Sequence, residues 1–385
     1  MAMLVVLRNF SRIFCLLLTP KFSTSNKNMA RQTKFSFYAA ALALALLGAG
    51  CGTSSSSGPT GPDGGVWKTT DHGQTWSNKK ALVSGSKVTA AGAQLTVLDM
   101  KFDPQDRNAI YLATGELGLV YTLDGGESWQ LNKIGGVTKI NSVAVDPGNK
   151  CVIYVTSGNK VFKTENCGRD WTQPWYEPRD VVLTRIAVDN YNRNVLFAGS
   201  NDGDVYRSEN GGTSWQNVYR VPGSEVTSII INPKDTRMVY VGSKTEGIWK
   251  TTDGGASWTK IRQQFADPLG DGRYVKQLVL DPVDNNTLYD VCRYGILKST
   301  DGGETWTALN LTSPPGTIRI NALAIDPKNN KNLVFTGVST LQYTTDGGAT
   351  WSPKKLPTTQ AGSFVMYDPM DSNVLYLGTI APPTK

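Results

Sequence analysis

The sequence predicts an all-β fold in which seven four-stranded antiparallel sheets form a closed ring. Three observations support this. An eight-residue motif recurs seven times, a second turn motif alternates with it, and the chain starts and ends with complementary halves of one repeat. A strand-rich repeat of roughly 45 residues is typical of a β-propeller. We therefore predict a single seven-bladed β-propeller at residues 65–381.

The recurring motif is Ser/Thr-x-Asp-x-Gly-x-x-Trp, as in Thr251–Trp258. Its hydroxyl and carboxylate can accept backbone N–H bonds within their own turn, its glycine adopts positive φ, and its tryptophan offers an apolar face between sheets. Asn166 and Asn210 replace the acid in two copies, and an amide cannot act as a general acid or base. We therefore interpret the motif as structural rather than catalytic or calcium-binding. Its seven acid-or-amide and tryptophan pairs are Asp71 and Trp76, Asp124 and Trp129, Asn166 and Trp171, Asn210 and Trp215, Asp253 and Trp258, Asp301 and Trp306, and Asp346 and Trp351.

One repeat illustrates the others. Val226–Ile231 reads as a first strand, Asn232-Pro233 opens a turn, and Met238–Val241 and Gly247–Thr251 are two further strands before the motif leads into a fourth. The first turn begins with Asp-Pro or a close variant in every repeat. These turns start at Asp103, Asp146, Asp189, Asn232, Asp281, Asp326 and Asp368.

The two ends of the repeat region are complementary. Val66–Thr69 and the first motif supply only the third and fourth strands of a blade, whereas Phe364–Tyr367 and Val374–Leu377 supply only a first and a second. Joining the N- and C-terminal half blades completes the seventh sheet and leaves no open edge to aggregate. We therefore expect the ring to be closed by its own termini.

The N-terminal region reads as a targeting segment. We expect residues 1–28 to be a gene-model extension and residues 29–51 to be a signal peptide, with a basic start and the short apolar run Phe37–Gly50. Leu47–Cys51 resembles a bacterial lipobox, although Gly48 stands where leucine is usual, and ordinary signal cleavage is the alternative. The resemblance implies secretion across the inner membrane and lipidation at Cys51, which would anchor the protein in the cell envelope. Residues 52–64 read as a flexible Gly/Ser/Pro linker.

The charge of the chain argues against nucleic-acid binding. The net charge of +7 includes six basic residues and no acid within residues 1–51, so the remainder carries only +1. Binding to nucleic acid needs a dense basic face. We expect no nucleic-acid partner.

The cysteines suggest an oxidising compartment. Cys151 and Cys167 fall nearly opposite each other on a hairpin that turns at Ser157–Asn159, so we predict a disulfide between them, worth up to roughly 3 kcal/mol. Two unrelated buried thiols are the alternative. We expect Cys292 to be a core thiol.

The connections on one face vary in length and composition, and function is expected there. Arginines alternate with aromatic residues on or near this rim, a composition typical of protein-interface anchors, with ordinary surface decoration as the alternative. The candidate binding residues are Trp175, Tyr176, Arg179, Arg185, Arg220, Arg273, Tyr274, Arg293, Tyr294 and Arg319. Glycosidase chemistry needs two carboxylates, and solvated surface charge is the alternative for any loop acid. The candidate carboxylates are Glu177, Asp180, Glu225, Asp267 and Asp271.

The sequence lacks the residues and motifs that other common kinds of catalysis and cofactor binding need. The single histidine, His72, lies inside a motif copy, so histidine triads and histidine-ligated metals are not expected. There is no CxxC pair, P-loop or dinucleotide fingerprint. We predict no cofactor and no metal.

The motif resembles the Asp-box, or BNR, repeat, and the resemblance covers nearly all of residues 65–381. The Asp-box is specific for fold and almost silent on function. Sialidases that carry this repeat resemble the chain but have six blades. The Arg-Ile-Pro motif near their start is absent here. Xyloglucanase-type enzymes resemble two such propellers in tandem, whereas the sequence of this chain predicts one. The photosystem II stability/assembly factor-like and sortilin N-terminal-like propellers are more similar in layout. This resemblance implies a non-catalytic scaffold that binds unidentified envelope proteins, and the alternative is a glycoside hydrolase or glycan-binding propeller.

Overall fold

The structure, a computed structural model, describes residues 63–261 and 270–381. The predicted targeting segment, Cys51 and Asp267 lie outside these residues. Within the described part, thirty β-strands form seven sheets that are antiparallel except for one parallel pair, and two short 3-10 helices lie between strands. No helix in it is long and apolar enough to span a membrane. The fold is the predicted seven-bladed β-propeller.

Blade 1 is built from both ends of the described chain. Strands β1 (Val66–Thr69) and β2 (Ser77–Asn78) join β29 (Ala361–Asp368) and β30 (Asp371–Ile380) in the order β2-β1-β30-β29. The central pair is antiparallel, with Trp67 opposite Leu377. The two terminal half blades thus share one sheet, as the sequence indicated.

Blade 2 is larger than predicted. Its strands are β3 (Leu82–Ser84), β4 (Lys87–Thr89), β5 (Val97–Asp103), β6 (Asp106–Thr114), β7 (Leu119–Thr122) and β8 (Trp129–Asn132), with helix η1 (Ala91–Gln94) before β5. The β3–β4 hairpin lies between the last strand of blade 1 and the innermost strand of blade 2, where a four-stranded repeat predicts only a connection. It joins the sheet because β3 pairs in parallel with β8, at Leu82 opposite Trp129, and so covers the outer edge of the blade.

The other five blades each run in chain order from the innermost strand outward. Blade 3 contains β9 (Ser142–Val145), β10 (Ile153–Ser157), β11 (Lys160–Thr164) and β12 (Thr172–Tyr176). Blade 4 contains β13 (Leu183–Val188), β14 (Leu196–Ser200), β15 (Asp204–Ser208) and β16 (Gln216–Arg220). Blade 5 contains β17 (Val226–Ile231), β18 (Val239–Ser243), β19 (Gly247–Thr251) and β20 (Thr259–Lys260). Blade 6 contains β21 (Val275–Leu280), β22 (Leu288–Cys292), β23 (Ile296–Ser299) and β24 (Thr307–Ala308), with helix η2 (Gly270–Arg273) before β21. Blade 7 contains β25 (Ile320–Asp326), β26 (Asn329–Gly337), β27 (Thr340–Thr344) and β28 (Ser352–Lys355).

The innermost strands close the ring. Strands β5, β9, β13, β17, β21, β25 and β29 each contact the next around the ring, and β29 contacts β5. The core lies between neighbouring blades. Trp129 of blade 2, fully buried, packs with Tyr376 of blade 1 in one such cluster. The apolar faces of adjacent sheets therefore hold the blades together.

The linker boundary predicted at residue 64 needs correction. Asp63, which the sequence assigned to the linker, is buried, and its carboxylate accepts hydrogen bonds from Thr359 N at 2.6 Å and Thr359 Oγ1 at 2.9 Å. Its backbone carbonyl also accepts a bond from the Trp67 indole. These contacts fasten Asp63 to the C-terminal half of blade 1, so the folded unit includes it.

The Asp-boxes fasten each turn in the way their composition predicts. Thr251 Oγ1 accepts the Gly255 N–H at 2.9 Å and donates to Asp253 Oδ1 at 2.7 Å, while Asp253 accepts the Ser257 N–H at 2.9 Å. The amide variant keeps this role: Asn210 accepts the Ser214 N–H at 2.9 Å, and its Nδ2 donates to Ser214 Oγ. The acid and the amide at this position therefore both accept a backbone hydrogen bond within the turn.

Each Asp-box also binds the first turn of its own blade. The N–H of the fourth box residue donates to a backbone carbonyl in that turn at 2.8–3.0 Å in all seven blades. In blade 3 this residue is Cys167, whose φ of 61° lies in a region that favours glycine, and its N–H donates to Cys151 O. Cys151 and Cys167 also form a disulfide. The disulfide therefore adds a covalent link where the other blades have only a hydrogen bond.

The Asp-Pro turns connect neighbouring blades, a role the sequence did not reveal. Asp368 of blade 1 accepts from Arg107 of blade 2 at 3.0 Å, and Asp281 of blade 6 accepts from Asn330 of blade 7 at 2.9 Å. Asp326 of blade 7 in turn accepts from Ser372 of blade 1 at 2.9 Å. Together the boxes and turns make one face of the ring regular. We call it the Asp-box face.

Candidate functional site

The seven innermost strands surround a central channel with a volume of about 730 Å³. Most of its lining residues come from the first half of each innermost strand, where the connections between blades arrive. The channel therefore opens on the face opposite the Asp-boxes, which we call the channel face. Its volume falls within the usual range of ligand pockets.

A β-bulge shapes the channel wall. In six of the seven blades the innermost strand shifts register at one residue near its start. A bulge of this kind leaves one residue unpaired and redirects its side chain. We call this residue, and its counterpart Asn141 in blade 3, the bulge position. From blade 1 to blade 7 the bulge position holds Ser363, Leu98, Asn141, Thr184, Thr227, Lys276 and Asn321.

Five short polar residues at the bulge position fasten the inner strands into a belt. Each donates a side-chain hydrogen bond to a backbone carbonyl of the next blade, at 2.6–3.0 Å. The five bonds run from Asn141 to Leu183, Thr184 to Val226, Thr227 to Val275, Asn321 to Gly362 and Ser363 to Val97. Leu98 in blade 2 and Lys276 in blade 6 depart from this pattern.

The next residue in each strand, which we call the inner position, forms a second belt. In four blades its side chain accepts a backbone N–H of the next blade, at 2.9–3.3 Å. The acceptors are Asp99, Ser142, Ser228 and Gln277. The other three blades carry Arg185, Ala322 and Phe364 at this position. Alanine and phenylalanine side chains have no acceptor, and an arginine side chain has only donors.

The two basic departures, Arg185 and Lys276, both line the channel. Arg185 is held by two backbone carbonyls, with Nε 2.7 Å from Thr227 O and Nη1 2.7 Å from Thr184 O. Lys276 remains accessible to solvent, but desolvation by the surrounding channel walls lowers its pKa, and the neighbouring guanidinium groups of Arg185 and Arg319 lower it further. A lysine in this setting gains from an anion bound beside it.

The rim above these residues is also basic. Lys139 and Arg319 lie just before the innermost strands of blades 3 and 7 and line the channel. No carboxylate within residues 63–261 and 270–381 pairs with Lys139, Arg185, Lys276 or Arg319. The channel face thus gathers four unneutralised cations around one opening.

The candidate carboxylates occupy different settings. Glu177 is buried and pairs with Arg179 Nε at 2.7 Å, and Glu225 pairs with Lys244 at 3.0 Å. Asp180 is exposed, and the backbone of Asp271 lies in helix η2. Glu177 therefore balances Arg179, whereas Glu225 lines the channel and is paired there with Lys244.

Several candidate binding residues are engaged within the fold. Arg179 and Arg220 both bind the fully buried Asp204, and Arg179 also contacts Asp202 at 2.9 Å. Burial alone would raise the pKa of Asp204, but the hydrogen bonds from Arg220 and Arg179 outweigh it and lower that pKa. This network anchors the connection after blade 3 to blade 4. The sequence did not single out Asp204.

The aromatic candidate binding residues also differ in how far they are buried. Trp175 lies in packing between blades, with its ring 5.2 Å from Tyr206 and 5.5 Å from Trp215, so its assignment to an open binding rim needs correction. Tyr176 beside it is exposed. Tyr294 is half-buried in the blade 6 core cluster.

One cluster joins three of the candidates. The guanidinium groups of Arg273 and Arg293 lie 5.0 Å and 5.4 Å from the centre of the Tyr274 ring. Cation–π contacts of this kind hold arginines over an aromatic face. Arg185 and Arg319, also candidates, lie in the channel with Lys276, which the sequence analysis did not name.

Comparison with family models supports the repeat assignment. The BNR/Asp-box repeat model matches residues 342–353, which include the whole of the seventh Asp-box. The chain is an Asp-box β-propeller. The model for sortilin (neurotensin receptor 3) matches residues 203–293 of this propeller, from blade 4 to blade 6. A search of curated protein sequences gave no match.

Solved structures resemble this Asp-box propeller at the level of fold. A GH74 xyloglucanase from Xanthomonas campestris is 20% identical with a TM-score of 0.63, and the match covers 74% of this chain and 51% of that one. The chain therefore spans about half the length of that enzyme. "YCF48 bound to D1 peptide" is 19% identical with a TM-score of 0.58, covering 74% of this chain and 94% of that one. YCF48 from Cyanidioschyzon merolae is 14% identical with a TM-score of 0.58, covering 74% and 96%.

Proposed function

We propose that this propeller is a non-catalytic binding scaffold that takes an acidic polypeptide segment on its channel face. The observation that carries the proposal is the group of four cations, Lys139, Arg185, Lys276 and Arg319, around one opening with no carboxylate partner among the described residues. Like charges gathered without counter-ions repel one another, and a bound acidic segment relieves that repulsion.

The structural likeness is compatible with this reading. The YCF48 structure that carries a D1 peptide is covered almost completely by the match, so a single propeller of this size can take a peptide ligand. At 19% identity the likeness supports the fold and lends no residue assignment. The peptide-binding role of this chain therefore depends on its own cations.

We also propose that the protein acts in a bacterial cell envelope, tethered to a membrane through lipidated Cys51. The support is the signal-like segment and lipobox-like cysteine of the sequence. Mass spectrometry of the mature N-terminal peptide tests this. Diacylated Cys51 at the N-terminus is the expected result, and an unmodified N-terminus beyond Cys51 contradicts it.

The binding proposal can be tested with a fluorescently labelled glutamate-rich peptide in an anisotropy titration. We expect binding that weakens with added salt, because exposed charge pairs are screened. The double variant Lys139→Gln/Arg319→Gln should bind about tenfold more weakly, since two exposed ion pairs contribute about 0.5–1 kcal/mol each.

A matched control separates site from net charge. Lys234→Gln/Lys328→Gln removes two exposed lysines from the Asp-box face and should leave the affinity unchanged. Equal losses in both double variants would show non-specific attraction and overturn the proposal. The absence of any binding to the acidic peptide would overturn it as well.

The second candidate is a carbohydrate-active propeller, which the likeness to GH74 enzymes favours. Hydrolysis would need two carboxylates placed on either side of a glycosidic bond. Release of reducing sugar from xyloglucan or another β-glucan by the purified protein would favour this candidate, provided that Glu177→Gln or Glu225→Gln abolishes the release. Failure of both substitutions to affect it would indicate a contaminant.

A further inference from the structure

The seven blades supply an internal reference for each position of the channel wall. Five blades show that a short polar residue fits the bulge position and bonds to the next blade, and four show the same for an acceptor at the inner position. A blade with an apolar residue there lacks this hydrogen bond, and Arg185 replaces the acceptor by donating to Thr227 O of the next blade. The residues that depart from the pattern therefore mark positions where the channel wall is adapted to something other than bonding between blades.

The exceptions sort by chemistry and by place. Ala322, Phe364 and Leu98 belong to blades 7, 1 and 2, which are consecutive in the ring, and all three are apolar. Arg185 and Lys276 belong to blades 4 and 6, and both are cations. At the bulge and inner positions the exceptions are thus apolar on one side of the channel and basic on the other, although Lys101 of blade 2 and Arg319 of blade 7 also line the cavity.

These two walls face each other. In a ring of seven, blade 1 stands opposite blades 4 and 5, and blade 2 stands opposite blades 5 and 6. Phe364 is therefore across the channel from Arg185, and Leu98 is across from Lys276. The apolar wall continues to Val338, Ala361 and Ile380, which also line the cavity. A ligand at the level of the bulge and inner positions therefore meets Leu98 and Phe364 on one side and Arg185 and Lys276 on the other.

The acids nearby do not cancel this charge. Asp99 lies beside Leu98, but it is buried, accepts bonds from Ser142 Oγ at 2.7 Å and Val143 N at 3.2 Å, and has Lys101 at 3.6 Å. Glu225 on the basic side pairs with Lys244. Desolvation lowers the pKa of Lys276, and Arg185 and Arg319 lower it further, while Glu225 offsets these effects only in part.

We propose that the channel is a binding site for a small amphiphilic carboxylate, an aliphatic or aromatic acid whose carboxylate contacts Arg185 and Lys276 while its apolar part lies against Leu98 and Phe364. Carboxylate recognition by arginine is strong because the bonds are charge-assisted. Burial of the apolar part adds about 0.8 kcal/mol for each methylene. This site shares Arg185 and Lys276 with the proposed peptide contact but adds the apolar residues Leu98 and Phe364. It does not depend on the peptide proposal, because decanoate binding is measured without any peptide.

Isothermal titration of the purified protein with decanoate, acetate and decanol tests both halves of the site. Decanoate should bind at least about 200-fold more tightly than acetate, because at least four buried methylenes contribute about 0.8 kcal/mol each. It should also bind at least about tenfold more tightly than decanol, which has no charge to place on the basic wall.

Two substitutions convert the exceptions to residues that other blades already carry. Leu98→Ser copies Ser363 and Lys276→Asn copies Asn321, so both variants should fold and unfold like the parent protein. Each should weaken decanoate binding about tenfold, the first by removing apolar contact and the second by removing charge. Thr227→Ser keeps a hydroxyl at the bulge position of blade 5 and should leave the affinity within about twofold.

Three results would overturn the proposal. Equal affinity for decanoate and acetate would show that the apolar wall takes no part, and equal affinity for decanoate and decanol would show that the basic wall takes none. Unchanged decanoate binding in both Leu98→Ser and Lys276→Asn would place any bound acid elsewhere on the molecule. Failure of the glutamate-rich peptide to bind would leave this site unaffected, so the two proposals fail separately.

Discussion

The two faces of the ring follow different rules. On the Asp-box face every blade repeats the same backbone bond from box to turn, and even the amide and cysteine variants keep it. On the channel face the belts of hydrogen bonds are interrupted, by Leu98 and Lys276 at one level and by Arg185, Ala322 and Phe364 at the next. The difference teaches that the repeat conserves its geometry where the fold is held together, and that substitutions concentrate where the channel is lined.

The sharpest contrast in stability should come from aromatic residues of the two faces. Trp129→Ala removes a fully buried box tryptophan and should lower the free energy of unfolding by about 4 kcal/mol, as large-to-small core substitutions do. Tyr176→Ala on the channel face should change it by less than about 0.5 kcal/mol. Chemical denaturation measures both. An equal loss of unfolding free energy in the two variants would mean that Tyr176 on the channel face stabilises the fold as much as Trp129 does.

The disulfide should matter next. Replacing Cys151 and Cys167 by serine should lower the free energy of unfolding by about 3 kcal/mol, because the bridge closes a short loop in the unfolded chain. With Cys151→Ser retained, Cys167→Gly should recover about 1 kcal/mol over Cys167→Ser, since glycine adopts positive φ without strain. Denaturation under oxidising conditions measures all three proteins. If Cys167→Gly were no more stable than Cys167→Ser, the Asp-box backbone of blade 3 would differ from that of the other six blades.

Acid should weaken the network that anchors the connection after blade 3. Because the folded-state pKa of Asp204 is lowered, its stabilisation is fully present above the unfolded pKa, near 4, and is lost as the pH falls further. Asp204→Asn should therefore cost about 2 kcal/mol at pH 7 and progressively less below about pH 4. Denaturation across this pH range measures it. A difference that stays constant with pH would show that the Asp204 carboxylate does not titrate with folding.

Most of the fold could be predicted because its determinants are local and periodic. The Asp-box is a short turn whose glycine and tryptophan positions recur, so counting its copies gives the blade number, and the two half repeats give the pairing of β1 with β30. The β3–β4 hairpin escaped prediction because its pairing with β8 joins distant parts of the chain. Nothing in its local sequence specifies that partner.

The site could be predicted only in part, since a sequence shows which residue is present and not what it faces. Arg179 and Arg220 read as free anchors until Asp204 is found between them, and Trp175 reads as exposed until its ring is seen against Trp215. Lys276 is one lysine among many in the sequence. Its meaning appears when the seven bulge positions are aligned by structure and found to surround one channel.

The most direct test of this account is the Lys276→Asn substitution, with stability and decanoate affinity measured on the same preparation. Asparagine at this position copies Asn321 and can bond to the next blade, so the free energy of unfolding should stay the same or rise by up to about 1 kcal/mol. Decanoate binding should fall about tenfold. A variant that loses stability and keeps its affinity would show that Lys276 serves the fold, and the distinction between the two faces would fail.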